Sequence, residues 1–173
     1  MQQARQASLN REKVVKATRE LFSETSALAS MNDIAARAGV GKGTIYRAFP
    51  DRFALLSTVA IDQLQEVQAR AEDVLSKSGN ADEIFAEFLH YMLRYNVRNG
   101  LYLEVFRQQE VVAEVVEAQR VVKVQIEELY GRAVQAGSVV APVSDRDLHF
   151  VLNAFVQWLN GTFARGQSEL ETG

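Results

Sequence analysis

Between Ser30 and Leu56 the chain reads SMNDIAARAGVGKGTIYRAFPDRFALL, and a glycine at 39 and a proline at 50 divide it into two short helical patterns around one turn. Ser30 followed three residues later by Asp33 is a capping-box-like start. The serine oxygen accepts from an orphan helix N–H, and the carboxylate can reach back. Ile34, Ala35 and Ala38 give the first helix a small apolar face. Gly39 supplies the left-handed residue that ends it, and Val40 plugs the turn. A second helix then runs from about Lys42 to Phe49, with Ile45 and Phe49 four apart on its buried side. Pro50 ends it. The pattern is a helix-turn-helix.

The second helix turns Lys42, Thr44, Tyr46 and Arg47 outward, a set that can donate hydrogen bonds to phosphates and base edges in a major groove. Gly43 carries no side chain, so the start of that helix can approach DNA or the preceding helix closely, and its N–H groups favour an anion. Taken alone, the same residues also suit an ordinary helical hairpin with a solvated polar face.

Ile34-Ala35, Ala38-Gly39-Val40, Gly43-Thr44-Ile45-Tyr46, Phe49, Arg52 and Leu55-Leu56 together resemble the helix-turn-helix of the TetR family of bacterial transcriptional regulators. The resemblance covers about the first third of the chain. It implies that these helices are the second and third of a three-helix DNA-binding domain, with the third in the major groove. By position, it also implies that Lys42, Gly43, Thr44, Tyr46 and Arg47 meet DNA and that Ser30 and Arg52 touch phosphates. Gly41 departs from the family's frequent serine, which removes a side-chain cap. The loop from Ser23 to Ala29 lacks the usual glycine, and Phe53 replaces a usual acidic residue.

The net charge of −3 argues against a nucleic-acid binder only until it is split along the chain. Residues 1–58 hold nine Lys/Arg against five Asp/Glu, while residues 59–173 hold ten against seventeen. The basic part carries the helix-turn-helix, as expected if it alone meets phosphates. With 47% hydrophobic residues among 173, the chain can bury a substantial core. No apolar run approaches the roughly 20 residues that span a membrane, and MQQARQASLNREK lacks a signal peptide's apolar stretch, so a cytoplasmic protein with no membrane partner is expected. The absence of cysteine excludes disulfides and thiolate metal sites, and His90 and His149 cannot make a zinc site by themselves. No metal and no cofactor is expected.

Helical periodicity continues through the rest. Leu9 and Val14 flank Asn10 at hydrophobic-staple spacing, which predicts a first helix over about Asn10–Glu24 burying Val14, Ala17, Thr18, Leu21 and Phe22. Asp51 to Ser78 contains no glycine or proline, which permits one long connecting helix. Ser78-Gly79-Asn80 breaks it, and a further helix with Ile84, Phe85, Phe88, Met92 and Tyr95 at helical spacing ends at Asn99-Gly100. The valine-rich stretch from Leu101 to Ala136 steps by three and four and reads as helix, with a break near Arg107–Glu110. A last helix follows Ser144 and runs to about Ala164. The expected fold is all-α, with residues 1–58 as a three-helix DNA-binding domain and residues 59–173 as a helical effector-binding and dimerisation domain.

The C-terminal part carries no chemical signature. The resemblance implies a homodimer through the last two helices, a palindromic double-stranded DNA operator and a small, largely apolar effector. Candidates to line its pocket are Phe88, His90, Tyr91, Met92, Tyr95, Tyr102, Phe106, Asn153, Phe155 and Trp158, each of which also suits plain packing. Residues 51–78 are the lever that such an effector would move. A catalytic role has little support. Gly41-Lys42-Gly43-Thr44 fails as a phosphate loop because glycine follows the lysine and no strand precedes it. No nucleophile–base or metal-ligand spacing is present. The expected function is a ligand-responsive repressor. A DNA-binding architectural or scaffold protein without an effector is the alternative.

Overall fold

A computed structural model describes residues 2–25, 27–99, 101–106 and 111–137. The described residues form seven helices: α1 (Gln2–Thr25), α2 (Met31–Ala38), α3 (Lys42–Ala48), α4 (Arg52–Leu75), α5 (Ala81–Asn99), α6 (Leu101–Phe106) and α7 (Ala113–Gln135). They divide into two units, one of Met1–Asp62 with Leu101–Val111 and one of Gln63–Gly100 with Val112–Gly173. The break falls inside α4, which contributes residues to both. None of the described helices is long and apolar enough to cross a membrane.

The first unit closes around side chains that the periodicity brings to one side of each helix. Val14, Val15 and Ala17 of α1 are buried, as are Met31, Ile34 and Ala35 of α2, Ile45 of α3, and Phe49 just after it. Leu55, Leu56, Val59 and Ala60 of α4, with Leu101 and Val105 of α6, complete the buried apolar set, and Thr18 and Ser57 are buried beside them. Leu21 and Phe22 are half-buried.

In the second unit α4 buries Leu64, Val67, Ala71 and Val74, a stripe stepping by three and four. Val115, Val122, Ile126, Leu129 and Ala133 of α7 repeat the pattern, so the valine-rich stretch is helical as its spacing predicts. Phe85 of α5 meets Tyr130 of α7 with ring centroids 5.9 Å apart. Arg132 of α7 donates to the carbonyl of Leu75 at 2.8 Å, satisfying an orphan acceptor in the last turn of α4. Arg70 pairs with Glu87, and Lys77 reaches the same carboxylate at 2.7 Å.

One boundary differs clearly from the sequence expectation. The first helix begins at Gln2, not near Asn10, and runs through the supposed staple. Leu9 is 42% exposed, so it closes no cap. Gln2 to Leu9 is free of glycine and proline and rich in residues of good helix propensity, so nothing there stops the helix. Tyr102 and Phe106 have side chains outside the described set, and the expected last helix with Asn153, Phe155 and Trp158 lies outside the described residues.

Candidate nucleic-acid interface

The cap of α2 forms where the sequence places it. Ser30 is extended, with φ −71° and ψ 157°, and its hydroxyl oxygen accepts from the Asp33 N–H at 3.2 Å. The same hydroxyl donates to the Asp33 carboxylate at 2.6 Å. Ser30 is therefore engaged on both sides within the cap, with a negative charge beside it. Gly39 ends α2 at φ 65°, its N–H bonding to Ala36 at 3.1 Å while Val40 N–H bonds to Ala35 at 3.0 Å. These two bonds satisfy the orphan carbonyls of α2 and aim the chain into α3.

α3 is seven residues long and begins at Lys42, after an N-cap residue, Gly41, that has no side chain to cap it. Ile45 is its one buried residue, and Phe49 anchors its exit. Lys42, Gly43, Tyr46 and Arg47 are exposed, and Thr44 is half-buried at the border. Because residues four apart share a helix face, Lys42 with Tyr46 and Gly43 with Arg47 make one outward surface. Tyr46 is 44% exposed, so a large aromatic ring with a phenolic donor stands on this face.

Around this pair of helices, two arginines tie the elements together and an aspartate caps the helix that follows. Arg37 of α2 donates through both Nη atoms to Glu24 of α1, at 2.7 and 2.8 Å. Those bonds hold the Glu24 carboxyl below its ordinary value and raise the Arg37 guanidinium. Arg11 of α1 donates to the carbonyl of Ala48 at 3.0 Å and to Thr58 of α4 at 2.9 Å, with its guanidinium 4.3 Å above the Phe49 ring. Asp51 accepts from Ala54 N–H at 2.7 Å and so caps α4. Arg52, the first residue of α4, is half-buried, and its Nε and Nη2 have no acceptor among the described residues.

The sequence did not reveal the Arg11 and Arg37 contacts. Arg11 precedes its partners by 37 and 47 positions, and no local spacing encodes such pairs. The effector candidates whose side chains are described lie along α5. Phe88 is buried and Tyr91 and Met92 are half-buried, while His90 is exposed. Tyr91 lies 6.4 Å from Phe88 and 5.4 Å from Tyr95, ring centre to ring centre. Tyr95 is nearly buried, and its hydroxyl donates to Glu66 at 2.6 Å. A groove of about 530 Å³ lies elsewhere, within the first unit, where Arg11, Val15, Lys16 and Arg19 of α1 face Thr58 and Asp62 of α4.

Residues 14–59 match the family described as bacterial regulatory proteins, tetR family. No curated protein matches the chain. A TetR transcription regulatory protein from Mycobacterium vanbaalenii has a similar solved structure, with 26% identity over 92% of this chain and 97% of that one and a TM-score of 0.64. The structure of RolR in complex with resorcinol is similar at 21% identity, covering 93% of this chain and 82% of that one, with a TM-score of 0.60. A gamma-butyrolactone receptor described as ArpA-like is similar at 18% identity, 87% and 80% coverage and a TM-score of 0.61.

Proposed function

This chain belongs to the tetR family of bacterial transcriptional regulators, and we propose that it works as a repressor that binds a palindromic operator as a homodimer and is released or altered by a small effector. It is a DNA-binding protein and not an enzyme. In this reading residues 1–58 bind DNA in the cytoplasm, and residues 59–173 dimerise and bind the effector.

The outward face of α3 carries the proposal. Lys42, Tyr46 and Arg47 stand exposed on a helix that the core grips chiefly through Ile45 and the following Phe49, which is the arrangement a major-groove reader requires. Thr44 and Gly43 contribute a hydroxyl and close approach at the same face. Ser30 and Arg52 belong to the proposal as phosphate contacts on different footings. Ser30 must first release Asp33, whereas Arg52 has donors without an acceptor among the described residues.

An effector reading draws its support from the family and from α5. The similar structure of RolR contains resorcinol, and another similar protein is described as a gamma-butyrolactone receptor. In this chain Phe88, Tyr91 and Tyr95 present a run of aromatic rings, with Met92 beside them. Such a lining suits a small, largely apolar molecule with a few polar groups. An effector that favours the non-binding state by about 1–3 kcal/mol shifts operator affinity roughly 5- to 150-fold.

Competition between a selected duplex and random-sequence DNA tests the assignment. Lys42→Ala and Tyr46→Ala should lose preference for the selected duplex while remaining folded dimers. Unchanged preference in both variants would remove α3 from the recognition surface.

A further inference from the structure

Seven residues with one buried side chain and no side-chain cap make α3 a helix that cannot fix its own orientation. The Arg11 side chain of α1 hydrogen-bonds to the backbone of α3. We propose that Arg11 is a positioning residue for operator discrimination. On this view it holds the C-terminal end of α3 at the angle that lets the outward face read bases. The inference rests on the regulator reading above, and Arg11 lies outside residues 14–59 that match the family.

The geometry needs an arginine. One Nη donates to the last carbonyl of α3, at Ala48, and the other donates to Thr58 Oγ1 on α4. Thr58 is itself oriented by donating to the Ala54 carbonyl at 3.0 Å. The centre of the guanidinium lies 4.3 Å from the ring centre of Phe49, the residue at which the chain leaves α3. One rigid planar group therefore fixes the end of α3, the turn after it and the flank of α4 at once. A lysine ammonium keeps the charge but cannot supply two donors in a fixed fork above a ring. The cation also sits at the end of α3 where orphan carbonyls concentrate partial negative charge.

Arg11 acts here through α3 and not on the DNA itself. Its removal should thus change which bases are preferred without changing how many phosphates are neutralised.

The test compares wild type, Arg11→Lys and Arg11→Ala in selection from a random duplex library, followed by titration of the selected duplex and of random DNA at several salt concentrations. Circular dichroism sets a temperature at which all three proteins are folded. Both variants should lose about tenfold in the ratio of specific to non-specific affinity, the scale of one lost base-pair discrimination. The salt slope should stay at the wild-type value, including in Arg11→Ala. A lowered melting temperature with an unchanged ratio and unchanged base preferences would make Arg11 merely structural and overturn the proposal. A slope reduced by about one unit in Arg11→Ala would make it a phosphate contact and overturn it equally. If wild type itself enriches no sequence, the regulator reading falls, and the proposal falls with it.

Discussion

Arg37 and Glu24 form a two-pronged ion pair, with N–O distances of 2.7 and 2.8 Å, that ties the end of α1 to the last turn of α2. Arg37 is thereby committed to the scaffold, although its charge and its place beside the turn would suit DNA. The cations left on the α3 face are Lys42 and Arg47.

The pair has a definite pH signature. The hydrogen bond from Arg37 holds the Glu24 carboxyl below the ordinary value of 4.5. A folded-state value below the unfolded one gives stability that is present above the unfolded value and is lost as pH falls through the folded value. Glu24→Gln should melt modestly below wild type at neutral pH. The difference should shrink below pH 4.5 and also in about 1 M salt, because the pair is exposed. Melting curves across this range check it, and a difference independent of pH would deny the ion pair its role.

Gly39 has no atom within 4 Å of an added Cβ, yet its φ is +65°. Any cost of substitution there is therefore backbone strain and not crowding. Gly39→Ala should destabilise by about 1–2 kcal/mol, and Gly39→Asn by less, since asparagine tolerates the left-handed region. Urea denaturation of the two variants decides this. Equal losses would mean that the left-handed turn is not what glycine provides.

Ser57 is 5% exposed on α4, and its hydroxyl has no partner among the described residues. A buried unsatisfied hydroxyl costs roughly 1–3 kcal/mol, so Ser57→Ala should raise unfolding free energy by about 1 kcal/mol. A loss of stability on the same denaturant curve would show that the hydroxyl is satisfied.

Arg52 faces the same accounting with a different outcome. Its Nε and Nη2 have no protein acceptor among the described residues, so Arg52→Ala should leave the fold about as stable as before. If Arg52 turns outward to one phosphate in the complex, the substitution should reduce the salt slope by about 0.9. An unchanged slope would take Arg52 off the contact surface.

The helix-turn-helix was legible because its information is local. The cap at Ser30, the left-handed Gly39, the four-residue spacing of Ile45 and Phe49, and the stop at Pro50 all act within a few residues of themselves. The periodicity of the valine-rich stretch was legible for the same reason. The N-terminal half of α1 departs from the expectation because Leu9 and Val14 stand at staple spacing around Asn10, whereas good helix formers on both sides leave the helix no reason to begin there. Arg11 and Arg37 escaped because their partners are brought near only by tertiary packing. For Arg52 the charge and the position were legible, but not that two of its donors sit enclosed.

The central claim is that α3 reads sequence on behalf of a two-fold dimer. Selection of bound duplexes from a random library, with wild type beside Tyr46→Ala, tests it most directly. The account predicts that wild type enriches a palindrome whose half-sites lie one helical turn apart, about 34–36 Å, or a multiple of it, and that Tyr46→Ala does not. Weak, salt-sensitive binding without sequence preference by both proteins would contradict it and leave an architectural DNA binder in its place.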